Sequence, residues 1–404
     1  MSEETSKTKS GASRRQFVEG GVAALAALPT LGAGTAFAQG LPLPKAPVAL
    51  TVIDVGGALA LLQKPLENYR DAKKNLVSRM IFIKAPAPEL PGKIKAMQEA
   101  NRVDIDLVIG GLDALAAGIE QNLWVKLFPD HSASLPDPAK ILMPASLNMH
   151  NLGSGQGMCV VYYPSGPLLE YMPDRVKNVP TTTQELLDWS KQNPNRFLYA
   201  RPANSGPGRT FIMGLPYLLG DKDPKDPANG WEKTWAYLKE LGQNIEYYPT
   251  GTAAVMKEFG DGSRDIIIST TGWDINPRAL GIVPKEAKVQ TLKGFHWVSD
   301  AQYMYVPKGI SNDKLAVVLD LISHTMTPAQ QAFTYDEGYF YPGPAVKDVP
   351  LSMAPESSQK VIAEYGRSEY ADLIANNPIE VPLTPDKMVL AFRRWDEEVG
   401  TKRK

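Results

Sequence analysis

The chain has 404 residues, which is too long for one ordinary hydrophobic core and about right for two domains. Its charge is nearly balanced, with 43 Lys and Arg against 44 Asp and Glu, so neither a nucleic-acid-binding surface nor a polybasic membrane-binding surface is indicated. Cys159 is the only cysteine, which excludes an internal disulfide, and its apolar neighbours are typical of a buried structural thiol.

The first predicted element is an export signal over residues 1–38. Arg14-Arg15, two residues before Phe17, resembles the start of a twin-arginine signal, although Val18-Glu19 stands where Leu-Lys is usual. A run of small apolar residues follows, too short and too rich in glycine to span a membrane, and Ala36-Phe37-Ala38 fits a signal-peptidase site. We therefore expect a mature chain that starts at Gln39 and lies unanchored in the periplasm. A chance Arg-Arg pair before an apolar run is the alternative.

The mature chain begins with alternating strands and helices. VALTVID predicts a strand that ends at Asp54, before the turn glycines Gly56 and Gly57, and LVSRMIFIKA predicts a second strand. DIDLVIGG predicts a third strand, followed by Asp113 and an amphipathic helix. This alternation predicts a parallel, doubly wound sheet.

A second α/β unit is predicted from residue 158, where GMCVVYYP is typical of a buried strand. TTTQELLDWSKQN predicts a helix with a capping box of Thr182 and Glu185. The strand RFLYA precedes the turn NSGPGRTF, and the strand RDIIIS precedes the turn TTGWD. Near Phe295 the pattern changes to the alternation FHWVSDAQYMY. The domains expected are lobe 1, first part, at 39–157; lobe 2 at 158–297; and lobe 1, second part, with C-terminal helices, at 298–404.

Taken in this order, these segments resemble a type 2 periplasmic substrate-binding protein of an ABC importer. The resemblance covers nearly the whole mature chain, from TVIDVGG through GQGMCVVYYP and NSGPGRTF to YVPKGISNDKLAVVLDL, and is to the group that includes polyamine, iron and thiamine carriers. It implies an α/β fold of two lobes joined by two hinge-crossing strands. It also implies closure on one small solute, delivery to an inner-membrane ABC permease, and a monomer without cofactor, catalysis or nucleic-acid binding.

The solute is expected to contact turns at the carboxyl ends of strands, where open α/β sheets bind their ligands. Glycines there allow backbone amides to approach a ligand, and helix N-termini favour an anion. The ligand-binding residues expected are Asp54, Gly56, Gly57, Gly111, Asp113, Asn204, Ser205, Gly208, Arg209, Thr210, Trp273, Asp274, Asp300 and Tyr339.

The chemistry of these residues points in two directions. The planar fork of Arg209 matches a carboxylate or a phosphate, whereas aspartates and aromatic rings suit an ammonium group. A zwitterion with an amine and a carboxylate fits both sets, and a polyamine fits the second. A structural salt bridge is an equal alternative for Arg209, and simple helix capping is the alternative for Asn204 and Ser205.

Two other functions remain open from the sequence. The first is a periplasmic enzyme, although the sequence contains none of the motifs GxxxxGK[ST], GxSxG, GxGxxG and HExxH, and its histidines are widely scattered. A ferric-ion carrier of the same fold would need neighbouring tyrosines, for which Tyr162-Tyr163, Tyr247-Tyr248 and the pair Tyr339 and Tyr341 are candidates. No metal site is predicted.

Overall fold

The computed structural model describes residues 40–86 and 89–401, so the predicted export signal lies outside the described residues. The strands are β1 Val48–Asp54, β2 Val77–Lys84, β3 Leu107–Gly111, β4 Met158–Gly166, β5 Leu168–Tyr171, β6 Phe197–Leu198, β7 Ile266–Ser269, β8 Lys288–Gln290, β9 Trp297–Tyr305, β10 Gly343–Pro344 and β11 Ile379–Glu380.

The α-helices are α1 Leu59–Ala72, α2 Leu90–Glu99, α3 Leu112–Glu120, α4 Pro138–Ile141, α5 Pro144–Leu152, α6 Thr183–Gln192, α7 Gly206–Leu219, α8 Glu232–Gly242, α9 Thr252–Gly260, α10 Asn276–Ala279, α11 Asn312–Thr325, α12 Pro328–Gln331, α13 Glu356–Tyr365, α14 Tyr370–Asn376 and α15 Pro385–Trp395. Over the described residues, none of these helices combines the length and the apolar character that a membrane crossing needs.

Two sheets organise the described chain, and each defines one lobe. The first lobe is built on a seven-stranded sheet in the order β10-β4-β9-β3-β1-β2, with β11 paired to β9. The second lobe is built on a four-stranded sheet in the order β6-β7-β5-β8. The expected α/β fold with two lobes is therefore confirmed.

The parallel pairing predicted for the first three strands is confirmed, but the sheet as a whole is mixed. β2, β1 and β3 are parallel to one another, but β9 runs antiparallel to both β3 and β4. The reason lies in the connections: the chain leaves the first sheet after β4 and returns to it in β9, so these strands run in opposite directions. The second sheet is also mixed, because β5 is antiparallel to β7 and β8.

The chain passes between the sheets at two places. β4 pairs with β9 and β10 in the first sheet, and the first crossing therefore follows Gly166 rather than residue 158. The second crossing lies between β8, at residues 288–290, and β9, at residues 297–305. Near the C-terminus α15 contacts α3 of the first lobe, and the turn after α15 contacts α8 of the second lobe.

Local sequence explains how the helices begin and which face they bury. The capping box predicted for α6 is confirmed, since Thr182 Oγ1 accepts from the Glu185 N–H at 3.1 Å and Glu185 Oε2 accepts from the Thr181 N–H at 2.8 Å. On α1, Leu59, Leu62 and Leu66 recur at helical spacing and are all buried. This packing fixes the strand-to-helix turns that open at the sheet edge.

Candidate ligand-binding site

A cavity of about 480 Å³ is lined by turns from both lobes. This volume suits a small organic molecule. Since β1 and β3 are parallel neighbours, with Asp54 opposite Ile109, their carboxyl ends meet at the edge that carries the cavity. The predicted residues that line it are Asp54, Gly56, Gly57, Gly111, Asp113, Asn204, Ser205, Arg209, Trp273 and Tyr339.

Asp54 occupies the turn between β1 and α1. Its Oδ1 accepts from the N–H groups of Gly56 at 3.2 Å and Ala58 at 3.1 Å, so the turn itself fixes the carboxyl group. Burial raises the pKa of Asp54, and the backbone N–H groups of this turn together with the charge of Lys84 offset part of that rise. The site therefore holds a largely desolvated carboxyl group in its wall.

The two glycines of this turn leave room for other side chains. A Cβ at Gly56 would lie 2.8 Å from Gln302 Oε1, and a Cβ at Gly57 would lie 2.7 Å from the Tyr339 hydroxyl oxygen. Gly57 also has a φ of +78°, which disfavours other residues. The glycines thus bring Gln302 and Tyr339 against the turn.

Arg209 pairs with two aspartates in what we call the cavity cluster: Arg209, Asp113, Asp300 and Tyr163. Its Nη1 lies 2.9 Å from Asp113 Oδ2, and its Nη2 donates to Asp300 Oδ2 at 2.6 Å. The Tyr163 hydroxyl donates to the same Asp300 oxygen at 2.9 Å. Burial lowers the pKa of Arg209, but the charges of Asp300 and Asp113 more than offset this, so the net pKa is raised. The salt-bridge alternative therefore describes Arg209 in this structure.

Asp300 does not line the cavity, because Arg209 and Tyr163 cover its carboxylate. The cluster also links the lobes. Arg209 belongs to α7 of the second lobe, whereas Asp113 and Asp300 belong to α3 and β9 of the first.

The turn before α7 is a helix cap that faces the cavity. Ser205 Oγ accepts from the Gly208 N–H at 3.2 Å and lies 2.8 Å from Thr252 Oγ1, while Asn204 Nδ2 donates to the Thr250 carbonyl at 2.7 Å. The capping alternative thus holds for Ser205. Because Gly251 precedes α9 and also lines the cavity, two helix N-termini flank this wall.

Two predicted residues of α7 lie outside the cavity wall. A Cβ at Gly208 would lie 2.2 Å from the Ala200 carbonyl oxygen, so this glycine permits close packing against the backbone. Thr210 is buried, and its Oγ1 donates to the Pro207 carbonyl at 3.1 Å. Both residues thus pack against backbone of the second lobe, whereas Arg209 between them lines the cavity.

Asp274 also lies outside the cavity wall, although its neighbour Trp273 lines it. We call Asp274, Arg278 and Arg367 the anchor cluster. Asp274 Oδ1 accepts from the Gly272 N–H at 3.1 Å, and its Oδ2 accepts from Arg367 Nε at 2.7 Å. Arg278 Nη2 lies 3.8 Å from the same carboxylate. The tight turn directs the side chains of Trp273 and Asp274 apart, so that Trp273 faces the cavity while Asp274 is fully buried in the anchor cluster.

Aromatic rings form one side of the cavity. Trp273 meets Tyr339 edge to face at 5.2 Å between centroids, Tyr339 stacks on Phe340 at 4.1 Å, and Phe340 stacks on Tyr163 at 4.9 Å. These rings offer both apolar contact and cation–π faces.

The cavity also contains residues that sequence reasoning missed: Val55, Lys84, Ala85, Pro86, Tyr163, Gly206, Gly251, Thr252, Ala253, Gln302 and Phe340. Lys84–Pro86 follow β2, so the strand-end rule already applied to β1 and β3 could have found them. Gln302 lies two residues after Asp300 on β9 and therefore shares its face. Tyr163 lies in a strand that is buried at every position, so the sequence pattern does not separate its cavity-facing ring from the core residues beside it.

The tyrosine pairs proposed for ferric iron occupy different environments. Tyr163 lines the cavity, but Tyr162 is buried with its hydroxyl 3.2 Å from Ser299 Oγ. Tyr247 is exposed and donates to Glu258, and Tyr341 is absent from the cavity wall. Over residues 40–86 and 89–401, no three His, Cys, Asp or Glu side chains are grouped to hold a metal ion.

Comparison with known proteins gives a family and a fold. Residues 71–364, well over half of the chain, match the family described as bacterial extracellular solute-binding protein. A sequence comparison with curated proteins finds no match.

Solved structures of binding proteins share the fold. A spermidine/putrescine ABC transporter substrate-binding protein from Streptococcus pneumoniae has 14% identity and a TM-score of 0.56, with 86% of this chain and 99% of that chain covered. A GABA receptor has 18% identity and a TM-score of 0.63, covering 88% and 99%. A periplasmic thiamin binding protein has 16% identity and a TM-score of 0.59, covering 88% and 98%.

Proposed function

Because the chain belongs to the family of bacterial extracellular solute-binding proteins, we propose that it captures a small amine-bearing organic solute between its lobes and delivers it to an ABC permease. The family comprises solute-binding proteins of transporters rather than enzymes, and its members act outside the cytoplasm. The binding partners are accordingly a small solute and a permease.

The charge balance of the cavity floor supports an ammonium ligand. Three carboxyl groups, those of Asp54, Asp113 and Asp300, stand against two cations, the buried guanidinium of Arg209 and the ammonium of Lys84 at the rim, which leaves one excess negative charge. Since Arg209 is already paired with two of them, it offers no free charge to a carboxylate ligand. An ammonium group would instead compensate the remaining negative charge while it contacts the aromatic rings. This excess of acid is the observation that carries the proposal.

The opposite wall supports an anionic second end. The N-termini of α7 and α9 present backbone N–H groups there. Lys84 lies instead on the first-lobe side, paired in register with Asp54. A solute with an ammonium at one end and a carboxylate at the other therefore fits the cavity best. A polyamine has the ammonium end but no carboxylate end. Polyamines and GABA, the ligands named for two proteins of the same fold, are both amines.

In this proposal the turn NSGPGRTF binds the solute through its backbone rather than through Arg209. Its backbone at Ser205 and Gly206 faces the anionic end of the solute, whereas Arg209 holds acids of the first lobe. Closure of the two lobes would bring these walls together and present the closed form to the permease. With the twin-arginine signal expected over residues 1–38, the mature protein would act as a periplasmic monomer.

Identification of a co-purified solute tests the proposal directly. The mature protein would be purified natively and unfolded, and the released molecules identified by mass spectrometry. Calorimetric titration of 4-aminobutanoate, putrescine and spermidine would follow. An amine that binds with 1:1 stoichiometry supports the proposal. A purely anionic or neutral solute, with no affinity for any amine, would overturn the ligand class but leave the family unchanged.

Asp54→Asn locates the ammonium end. The asparagine keeps an oxygen for the N–H groups of Gly56 and Ala58, but it removes the charge and replaces the second oxygen with an N–H donor. We expect amine affinity to fall by at least about 30-fold, equivalent to loss of one partner of a buried charge pair. Asp71→Asn is the matched control, because Asp71 forms a surface pair with Arg70 and lies outside the cavity wall. Equal affinities for both variants would contradict the assignment.

A further inference from the structure

Gln302 is a buried polar residue of the cavity wall whose role the fold does not explain. It lies in the middle of β9, opposite Gly111 of β3 on one side and Val161 of β4 on the other. Its side chain lines the cavity although only 2% of the residue is exposed. Within the part of the chain that the structure describes, Gln302 Oε1 has no hydrogen-bond partner.

An unpaired buried acceptor is costly, and the great majority of such atoms in folded proteins are satisfied. Another buried glutamine of this chain shows the ordinary case. Gln331 Nε2 donates to the carbonyls of Val160 and Thr325, and its Oε1 accepts from the Ala345 N–H at 2.9 Å. Gln302 Oε1 therefore lacks the hydrogen-bond donor that Gln331 Oε1 has, and it lies in the cavity wall where a ligand could supply one.

Two other oxygens accompany this amide around the turn 54–57. Gln302 Oε1 lies against Gly56, the Tyr339 hydroxyl lies against Gly57, and the carboxyl group of Asp54 accepts from the same turn. A primary ammonium group has three N–H donors and no acceptor. A carboxylate, an amide oxygen and a phenol oxygen around one turn match that donor set.

We propose that Gln302 makes the site selective for primary ammonium groups over their N-methylated forms, by accepting one N–H of the solute. The inference rests on the proposed function, since it requires that the ammonium end binds at this wall. A trimethylated ammonium has the same charge and suits the aromatic rings equally well, but it has no N–H. It would leave Gln302 Oε1 unpaired and place methyl groups against three oxygens. Charge alone therefore does not satisfy the site.

The wild-type protein provides the first test, which needs no substitution. Calorimetric titration would compare 4-aminobutanoate with 4-(trimethylammonio)butanoate, and putrescine with its analogue that is trimethylated at both nitrogens. We expect the trimethylated member of a binding pair to be weaker by about 100-fold or more, because a site built for N–H donors rejects an analogue that lacks them. Equal affinities would overturn the inference and leave the proposed amine function intact. Failure of every amine to bind would overturn both.

Variants then assign the selectivity to Gln302. Gln302→Met keeps the volume but removes the acceptor, and we expect the ratio of the two affinities to fall below about tenfold. Gln302→Glu keeps an acceptor and should preserve the ratio. Gln331→Met, the matched control, should lower the unfolding midpoint and leave the ratio unchanged. The assignment would be overturned if Gln302→Met still preferred 4-aminobutanoate or putrescine over its trimethylated analogue by the full wild-type ratio of affinities.

Discussion

The cavity cluster and the anchor cluster are built from the same residue types but do different things. Each sets buried arginine against aspartate that follows a strand or lies within one. In the cavity cluster two carboxylates share one guanidinium, and Arg209 and Asp113 both line the cavity. In the anchor cluster two guanidiniums share the single carboxylate of Asp274, and none of the three side chains lines it.

The two clusters therefore differ in the sign of their excess charge: acid in the cavity cluster and base in the anchor cluster. Under the proposed function, the excess of acid beside the cavity is compensated by a cationic solute. The anchor cluster instead has its donors satisfied by protein: Arg278 Nε donates to the Asp274 carbonyl at 2.6 Å, and Arg367 Nη2 donates to the Ala287 carbonyl at 2.8 Å. The anchor cluster thereby fixes the turn that presents Trp273 to the cavity.

Removal of the anchor carboxylate should have the largest effect. In Asp274→Ala, Arg278 and Arg367 lose their only carboxylate partner among the described residues, and we expect the free energy of unfolding to fall by about 3–5 kcal/mol. Urea denaturation measures this change. Asp71→Ala, which breaks the exposed pair with Arg70, should cost less than about 1 kcal/mol. Similar losses in both variants would mean that the anchor cluster contributes no more than a surface pair.

The next effect depends on pH and arises behind the anchor cluster. Glu170 is fully buried, and burial, with a smaller contribution from Asp274, raises its pKa from 4.5 to about 8. The folded protein thus keeps this proton to a higher pH than the unfolded chain does. The stabilisation is complete below pH 4.5 and is lost as the pH rises through about 8, at roughly 1.4 kcal/mol per pH unit within that window.

Glu170→Gln should remove this dependence, because the amide does not titrate. Unfolding free energies at pH 5, 6, 7, 8 and 9 would be compared for wild type and variant, with Glu356→Gln as an exposed control. The expected result is a shallower slope for Glu170→Gln alone between about pH 5 and 8. Parallel curves for all three proteins would show that Glu170 titrates normally.

The sequence predicted which residues line the cavity wherever the strand-end rule decides, and failed where side-chain direction decides. Asp54, Gly111 and Asp113 follow strands whose parallel pairing brings them together, so their presence in the wall follows from the pattern. Trp273 and Asp274 satisfy the same rule equally well. Only the backbone of the turn, where Gly272 has a φ of +97°, sends one into the cavity and the other away.

Two further features could not be predicted for a different reason, since they depend on long-range pairing. Gln302 lies inside a strand, and its position in the wall depends on β9 returning between β3 and β4. The segment that carries Tyr339 contains positive φ values at Asp336, Glu337 and Phe340, which are uncommon for these residue types. Neither the antiparallel return nor this backbone has a local sequence signature.

Arg209→Met is a smaller perturbation that tests the cavity cluster itself. Asp113 and Asp300 would lose their shared partner, but cavity water can hydrate Asp113, so we expect a loss of about 2–3 kcal/mol in unfolding free energy. Affinities for putrescine and 4-aminobutanoate should both be retained or rise, because the guanidinium serves the aspartates and its removal increases the negative charge beside the cavity. A selective loss of 4-aminobutanoate binding would instead mean that Arg209 holds the carboxylate of the ligand.

Tyr163→Phe should give the smallest change and is the finest probe of the same cluster. It removes one hydrogen bond, to Asp300 at 2.9 Å, and keeps the ring that stacks on Phe340. Stability should fall by about 1 kcal/mol, as it should for Tyr162→Phe, which loses its contact with Ser299 outside the cavity. Since the Tyr163 hydroxyl is already committed to Asp300, amine affinity should change by less than about threefold in either variant. A larger loss confined to Tyr163→Phe would show that this hydroxyl leaves Asp300 to bind the solute, and the cavity cluster would then be rearranged by the ligand rather than preformed for it.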